Sequence, residues 1–233
     1  MNIKVFPCNL LRENAWLLWD GTGHGVVVDP GFAGPQETGA FLDYLRAEGI
    51  VLDGIWLTHA HPDHILGAAA LQRAFDLPVR MDPAERLSLD AAGKMAGAVG
   101  LEVPDTSFRT EPLTDGETLR CGDATFQVIS TPGHSAGGVC YHDAADGILL
   151  TGDTLFAGSI GRTDLPGGDY ERLIVSIMDK LMGLPGDTDI LPGHGVYSSI
   201  SRERVANPFL EPWGEAEEDS GLCGVRTGYL STP

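Results

Sequence analysis

The 233-residue chain holds only four cysteines, Cys8, Cys121, Cys140 and Cys223, and no two of them stand in CxxC spacing. Neither a zinc ribbon nor a disulfide framework is suggested, and free thiols in a reducing compartment are expected. No run of about 18 apolar residues occurs, the length a membrane-spanning helix needs. Met1-Asn2-Ile3-Lys4-Val5-Phe6 lacks the long apolar stretch of a secretory signal, so the expected location is the cytoplasm with no membrane partner. Basic residues are scarce too: 15 against 33 acidic ones leave a formal charge of -18. Such a surface is well solvated and repels a phosphate backbone, which excludes nucleic acid as an expected partner. No low-complexity linker and no strict repeat divides the chain, and its length suits one substantial core. Nothing in it signals an oligomeric state.

Glycine, by contrast, is abundant, at 31 residues. Several sit in what read as tight turns: Pro132-Gly133-His134, Thr151-Gly152-Asp153 and Pro192-Gly193-His194. Between the turns, strands and helices alternate. Ala15-Trp16-Leu17-Leu18-Trp19 and Val26-Val27-Val28 read as hairpin strands split by Asp20-Gly21-Thr22-Gly23. A helix is expected from Pro35 to Gly49, followed by a buried strand at Gly54-Ile55-Trp56-Leu57 and a helix opening at Pro62. Residues 82 to 100 are Ala-rich and expected to be helical, and a second group of strands spans Leu119 to Leu150. The clearest helical periodicity is Tyr170, Leu173, Ile174, Ile177, Met178 and Leu181, one apolar face over 169–182 before Gly183. Asp189-Ile190-Leu191 reads as a last strand, with a helix near Ser199–Ala206 to close the domain. A sheet-on-sheet centre flanked by helices accommodates this order over residues 1–210, leaving 211–233 as a polar tail.

Five of the seven histidines join two aspartates in a spaced set: His59, His61, Asp63 and His64 within Thr58-His59-Ala60-His61-Pro62-Asp63-His64, then His134, Asp153 and His194. Imidazole and carboxylate are ligands for zinc or iron. Leaving a strand, His59 and His61 can address one ion, while the turn at Pro62 swings Asp63 and His64 toward a second. His134, Asp153 and His194 each follow a strand and a glycine-bearing turn, so all can reach one sheet edge, and Asp153 has two oxygens with which to bridge. His24 and His142 lie outside these motifs and are expected to be hydrogen-bonded or exposed.

These HxHxDH, PGH, GD and GH segments resemble those of the metallo-β-lactamase superfamily, over essentially residues 1–210. The resemblance implies an α/β fold, a four-layer αββα sandwich. It also implies that His59, His61 and His134 hold a first divalent metal and Asp63, His64 and His194 a second, with Asp153 bridging. Zinc is the first choice of metal, with iron or manganese as alternatives. Asp29, in Val28-Asp29-Pro30-Gly31, matches a motif whose aspartate supports the ligands from behind.

Two divalent cations, two carboxylates and one hydroxide leave a centre of net charge about +1, suited to a metal-held hydroxide that attacks an acyl carbon, with Asp63 as catalytic residue orienting it. A thiolate leaves without a strong general acid, since its conjugate acid has a pKa of about 8.5. The segment Gly152–Arg162, with Leu191-Pro192-Gly193-His194-Gly195 and Asn207-Pro208-Phe209-Leu210, is similar to short bacterial hydroxyacylglutathione hydrolases. That likeness implies a small-molecule thioester substrate such as an S-2-hydroxyacylglutathione, and places Arg162 as substrate-binding residue where longer relatives have a glutathione-binding lysine. An ion pair of Arg162 with Asp164 is the structural alternative. The longer enzymes have a tyrosine at the position of Asp164 and a further C-terminal helical domain, so a shallower pocket open to other thioesters is implied. Gly161-Arg162-Thr163-Asp164 also resembles a segment of persulfide dioxygenases, which use one iron at the equivalents of His59, His134 and Asp153. A non-catalytic metal-binding scaffold is the third alternative; it fits less well, because structural zinc is normally closed by four ligands.

Overall fold

The computed structural model describes residues 1–210, so the expected tail at 211–233, with Cys223, lies outside the described residues. Three strands open the chain as an antiparallel meander: β1 (Asn2–Cys8), β2 (Glu13–Trp19) and β3 (His24–Val28). The helix α1 (Gly34–Glu48) carries Pro35 in its first turn, where no N–H is missed, and stops at Gly49 in the left-handed region with φ 67°. Next come β4 (Val51–Trp56), α2 (Pro62–Ile65), α3 (Ala68–Phe75), β5 (Val79–Met81), a 3₁₀ turn at Pro83–Glu85, α4 (Arg86–Val99) and β6 (Thr110–Pro112). β4, β5 and β6 extend the sheet in parallel, giving the order β1-β2-β3-β4-β5-β6.

The second sheet takes β7 (Thr118–Cys121), β8 (Ala124–Ser130), β9 (Val139–Asp143) and β10 (Ile148–Gly152) as an antiparallel run. A two-stranded flap of β11 (Leu155–Phe156) and β12 (Ser159–Ile160) follows, then α5 (Tyr170–Ser176). The strand β13 (Asp189–Pro192) returns parallel to β10, and β14 (Ser198–Ser199) leads into α6 (Ile200–Ala206). The expected single helix over 169–182 is instead interrupted: Ile177–Leu181 form a π turn, in which Met182 N–H donates to Ile177 O, five residues back, at 3.0 Å. The extra residue leaves both Ile177 and Leu181 in the core, so apolar spacing alone does not distinguish it from an α-helix.

Successive side chains of a strand point to opposite faces, and here both faces are covered. In β2, Ala15 and Leu17 pack with Phe41 and Leu45 of α1 and Leu71 of α3, whereas Trp16 and Leu18 face the other sheet. There they join Trp56, Phe126, Val128 and Tyr141 between the sheets. Leu149 and Ile190 cover the far face with Leu173, Ile174 and Ile200. Helix, sheet, sheet and helix layers therefore match the expected αββα sandwich. The buried Tyr141 hydroxyl donates to Leu57 O across the sheet interface at 2.5 Å, just before the histidine-rich turn.

Cys8, Cys121 and Cys140 are free and buried. His24 is exposed and 2.7 Å from Asp53, as its reading allowed. His142 departs from expectation: it lies in β9, mid-sheet and covered on both sides, and its Nε2 has no hydrogen-bond partner. Among the described residues no helix is long and apolar enough to cross a membrane.

Candidate metal centre

The site forms where strands of both sheets end. Past β3, Asp29 takes φ 51° and its carboxylate turns back to accept from Thr58 N at 2.6 Å and Thr58 Oγ1 at 2.5 Å. That fixes the exit of β4, and His59 and His61 follow directly. Pro62 starts α2, which presents Asp63 and His64 from its first turn. From the second sheet, His134 stands beyond β8, Asp153 beyond β10 and His194 beyond β13. Asn14 sutures the last of these to β2: its N–H donates to Gly193 O at 2.7 Å, and its amide to Pro192 O and Gly195 O, each at 3.1 Å.

All seven predicted residues are brought together. His134 Nε2 lies 2.9 Å from His61 Nδ1 and 3.2 Å from His59 Nε2. On the other side, His194 Nε2 is 3.2 Å from Asp63 Oδ2, and His64 Nε2 is 3.7 Å from that same oxygen. Asp153 lies between the two sets, with Oδ1 3.5 Å from His64 Nε2 and Oδ2 3.6 Å from His134 Nε2. Ligand atoms of His59, His61 and His134 fall within 4.8 Å of one another, and so do those of Asp63, His64 and His194.

Proton bookkeeping tests whether this set suits a cation. His134 Nδ1 is 2.8 Å from the Arg162 carbonyl, which only accepts, so the ring proton sits there and Nε2 carries a lone pair. Thr58 Oγ1 gives its proton to Asp29 and therefore accepts from His59 Nδ1 at 3.0 Å, leaving His59 Nε2 bare as well. Two lone pairs 3.2 Å apart repel unless something positive lies between them. His64 Nδ1 is held by Asp29 Oδ2 at 3.0 Å, while His64 Nε2 and Asp153 Oδ1, both buried, have no hydrogen-bond partner. Unpartnered buried polar atoms are rare and costly. A pair of divalent cations accounts for all of them, so the residues fit the metals.

The two sets differ electrically. Burial and the surrounding imidazoles push His59 and His61 well below the ordinary histidine range. Burial acts the same way on His64, but Asp153, Asp63 and Asp29 outweigh it and hold that ring well above its usual value. At Asp63 burial favours the proton, yet His64 and the hydrogen bond from His194 keep the carboxyl below the carboxylate range. A field that favours a proton at His64 also favours a metal cation.

Two glycines explain how the strand ends come so close. A Cβ on Gly193 would collide with Asp153 Oδ1 and stand 2.7 Å from His64 Cε1. Gly152, at φ 47°, leaves no room for a side chain against Thr58. Arg162 contributes through its main chain to His134, while its guanidinium forms a bidentate pair with Asp164 at 2.7 Å on the surface, the alternative foreseen for it. Sequence reading missed Glu13 and Asn9. Glu13 is fully buried 3.8 Å from His64 Nδ1, and Asn9 donates to the Asp63 carbonyl at 2.9 Å. A carboxylate just before the apolar run Ala15–Trp19 was the available signal for Glu13; Asn9 left none.

The sandwich with its two-sided His/Asp cluster defines a metal-dependent hydrolase scaffold, and the sequence assigns it to a family. Residues 9–194 match the metallo-β-lactamase superfamily, and the chain belongs to it. It is 33% identical to hydroxyacylglutathione hydrolase GloC of Haemophilus influenzae, over 90% of this chain and 98% of that one. Among solved structures, TTHA1623 in a di-iron-bound form superposes with a TM-score of 0.80 at 38% identity, covering 89% of this chain and all of the other. BLEG-1, a B3 metallo-β-lactamase, gives 0.82 at 36% identity, covering 90% and 99%.

Proposed function

We propose that the chain hydrolyses thioesters, of the S-2-hydroxyacylglutathione class such as S-lactoylglutathione, at a two-metal centre. His59, His61 and His134 would hold one ion and Asp63, His64 and His194 the other, with Asp153 placed between the two sets. The observation that carries this reading is the convergence of bare imidazole nitrogens and the unpaired Asp153 Oδ1 on two adjoining points. The 33% identity to hydroxyacylglutathione hydrolase GloC, over 90% of the chain, supports the thioester. Bound divalent cations supply the charge that acidifies water and polarises a carbonyl.

The chain's residues do the remaining work. Asp63, kept ionised, orients the attacking water, whose proton passes to solvent and is balanced by the proton the departing thiolate takes up. Asp29 locks Thr58 and His64, and through Thr58 also His59, so the ligands do not reorganise during turnover. The Arg162 carbonyl sets the tautomer of His134. Water oxygen joins the acyl carbon, the carbon–sulfur bond breaks, and the thiolate leaves without an acid catalyst before taking up a proton. Arg162 meets a substrate carboxylate only by exchanging Asp164, which gives it an auxiliary part.

Persulfide oxidation at a single iron on His59, His134 and Asp153 leaves Asp63, His64 and His194 without a task, which weighs against it. Metal analysis of the purified protein, combined with thiol release from a thioester panel with and without oxygen, tests the reading. Oxygen-independent release of thiol with two metals per chain is expected. Oxygen uptake with a persulfide, or bound metal without any turnover, overturns it.

A further inference from the structure

Of the seven clustered side chains His194 is the most open, with 27% of its side chain exposed against 13% at Asp153. A cavity of about 490 Å³ begins beside it, lined by Leu11 and Arg12 from the β1–β2 turn, Asn14 of β2, and Val196 and Tyr197 beyond β13. That volume lies within the roughly 300–1,000 Å³ of pockets that take small organic ligands. Its walls are preformed. Asn14 ties them through the three hydrogen bonds already given, and the Tyr197 ring lies 5.5 Å from that of Trp16. The turn is also anchored to the site, because the Asn9 amide donates to Gly31 O at 3.0 Å as well as to Asp63 O, while Leu11 N–H donates to Asn9 Oδ1.

Two features of this cleft are unexpected on a strongly acidic protein. Val196 and Tyr197 are exposed at 70% and 55%, an apolar surface next to the reaction centre. Arg12 sits at φ 55°, a conformation that strains every residue with a Cβ, and the fold keeps an arginine there. Arg73, Arg80, Arg109 and Arg162 are each committed to a carboxylate. Among the described residues the Arg12 guanidinium has no ion pair or hydrogen bond. Arg12 is the one lysine or arginine among the described residues that line this cleft, and it sets a positive charge where an anion must approach.

We infer that this cleft receives the thiol arm of the substrate and that Arg12 is its specificity-determining residue, pairing with a carboxylate on that arm while Leu11, Val196 and Tyr197 cover its carbon chain. The inference rests on the thioester reading and deepens it by naming the residue and the cleft that select an anionic thiol.

Calorimetry on the full, metal-loaded chain with S-hexylglutathione, which has two carboxylates and no thioester, separates binding from turnover. Arg12→Gly is the variant of choice, since glycine adopts φ 55° without strain and the fold is retained. It is expected to weaken Kd about tenfold, with a larger loss in Arg12→Glu and partial recovery in Arg12→Lys, while the diethyl ester of the same ligand binds all four proteins alike. Equal Kd for wild type and Arg12→Gly, equal losses for diacid and diester, or no binding by wild type overturns the assignment. Arg12-dependent binding without thioester turnover keeps the cleft and rejects the hydrolase. Turnover of S-lactoylglutathione with a KM indifferent to Arg12 keeps the hydrolase and rejects the cleft.

Discussion

The two sheets build their halves of the centre in different ways. One turn after β4 delivers His59, His61, Asp63 and His64 within six residues, whereas the second sheet sends His134, Asp153 and His194 from the ends of three separate strands. The first half is fixed locally, by Asp29 gripping Thr58 and His64. The second depends on strand register and on glycines that let β10 and β13 close on the histidine turn. A compact motif thus carries identity, and dispersed residues carry geometry; either can fail alone.

Removing Asp153, which faces histidines of both sets, breaks the junction itself. Asp153→Ala is expected to lower kcat/KM by more than about 10³-fold and to cut metal content below two per chain by elemental analysis, with far-UV circular dichroism unchanged; this exceeds the roughly 10–100-fold typical of supporting residues. Gly193→Ala deletes no ligand yet sets a methyl group against Asp153 and His64. A loss of about 100-fold or more with reduced metal content is expected, and wild-type metal affinity would show that the second sheet's geometry is not decisive. For the first sheet, Asp29→Asn keeps shape but weakens the grip on Thr58 and His64, so a drop of about 10–100-fold in kcat/KM is expected from steady-state kinetics. Smallest is Asp164→Ala, which frees Arg162 from an exposed, solvent-screened pair; KM for an anionic thioester should move less than about fivefold.

The same contrast explains what was legible in the sequence. Four ligands in six residues announce themselves, and glycine-bearing turns mark His134, Asp153 and His194. The apolar run Ala15–Trp19 marked a strand of a hairpin, but not that β2 lies inside the sheet with both faces covered. The π turn at Ile177–Leu181 was hidden, because an apolar pattern at 177, 178 and 181 serves either helix type. The short strands β5 and β6 carry too few residues for a pattern and owe their existence to pairing with β4. Asn9, Asn14 and Arg12 act through contacts 50 to 180 positions away or through a backbone angle, none of which a linear pattern encodes.

Anomalous diffraction from crystals of the purified protein, collected at the absorption edge of the metal it carries, addresses the seven-residue centre itself. Two peaks roughly 3.5–4 Å apart are expected, one among His59, His61 and His134 and the other among Asp63, His64 and His194, with Asp153 touching both. A single peak closed by four protein ligands, or peaks away from these side chains, would contradict it.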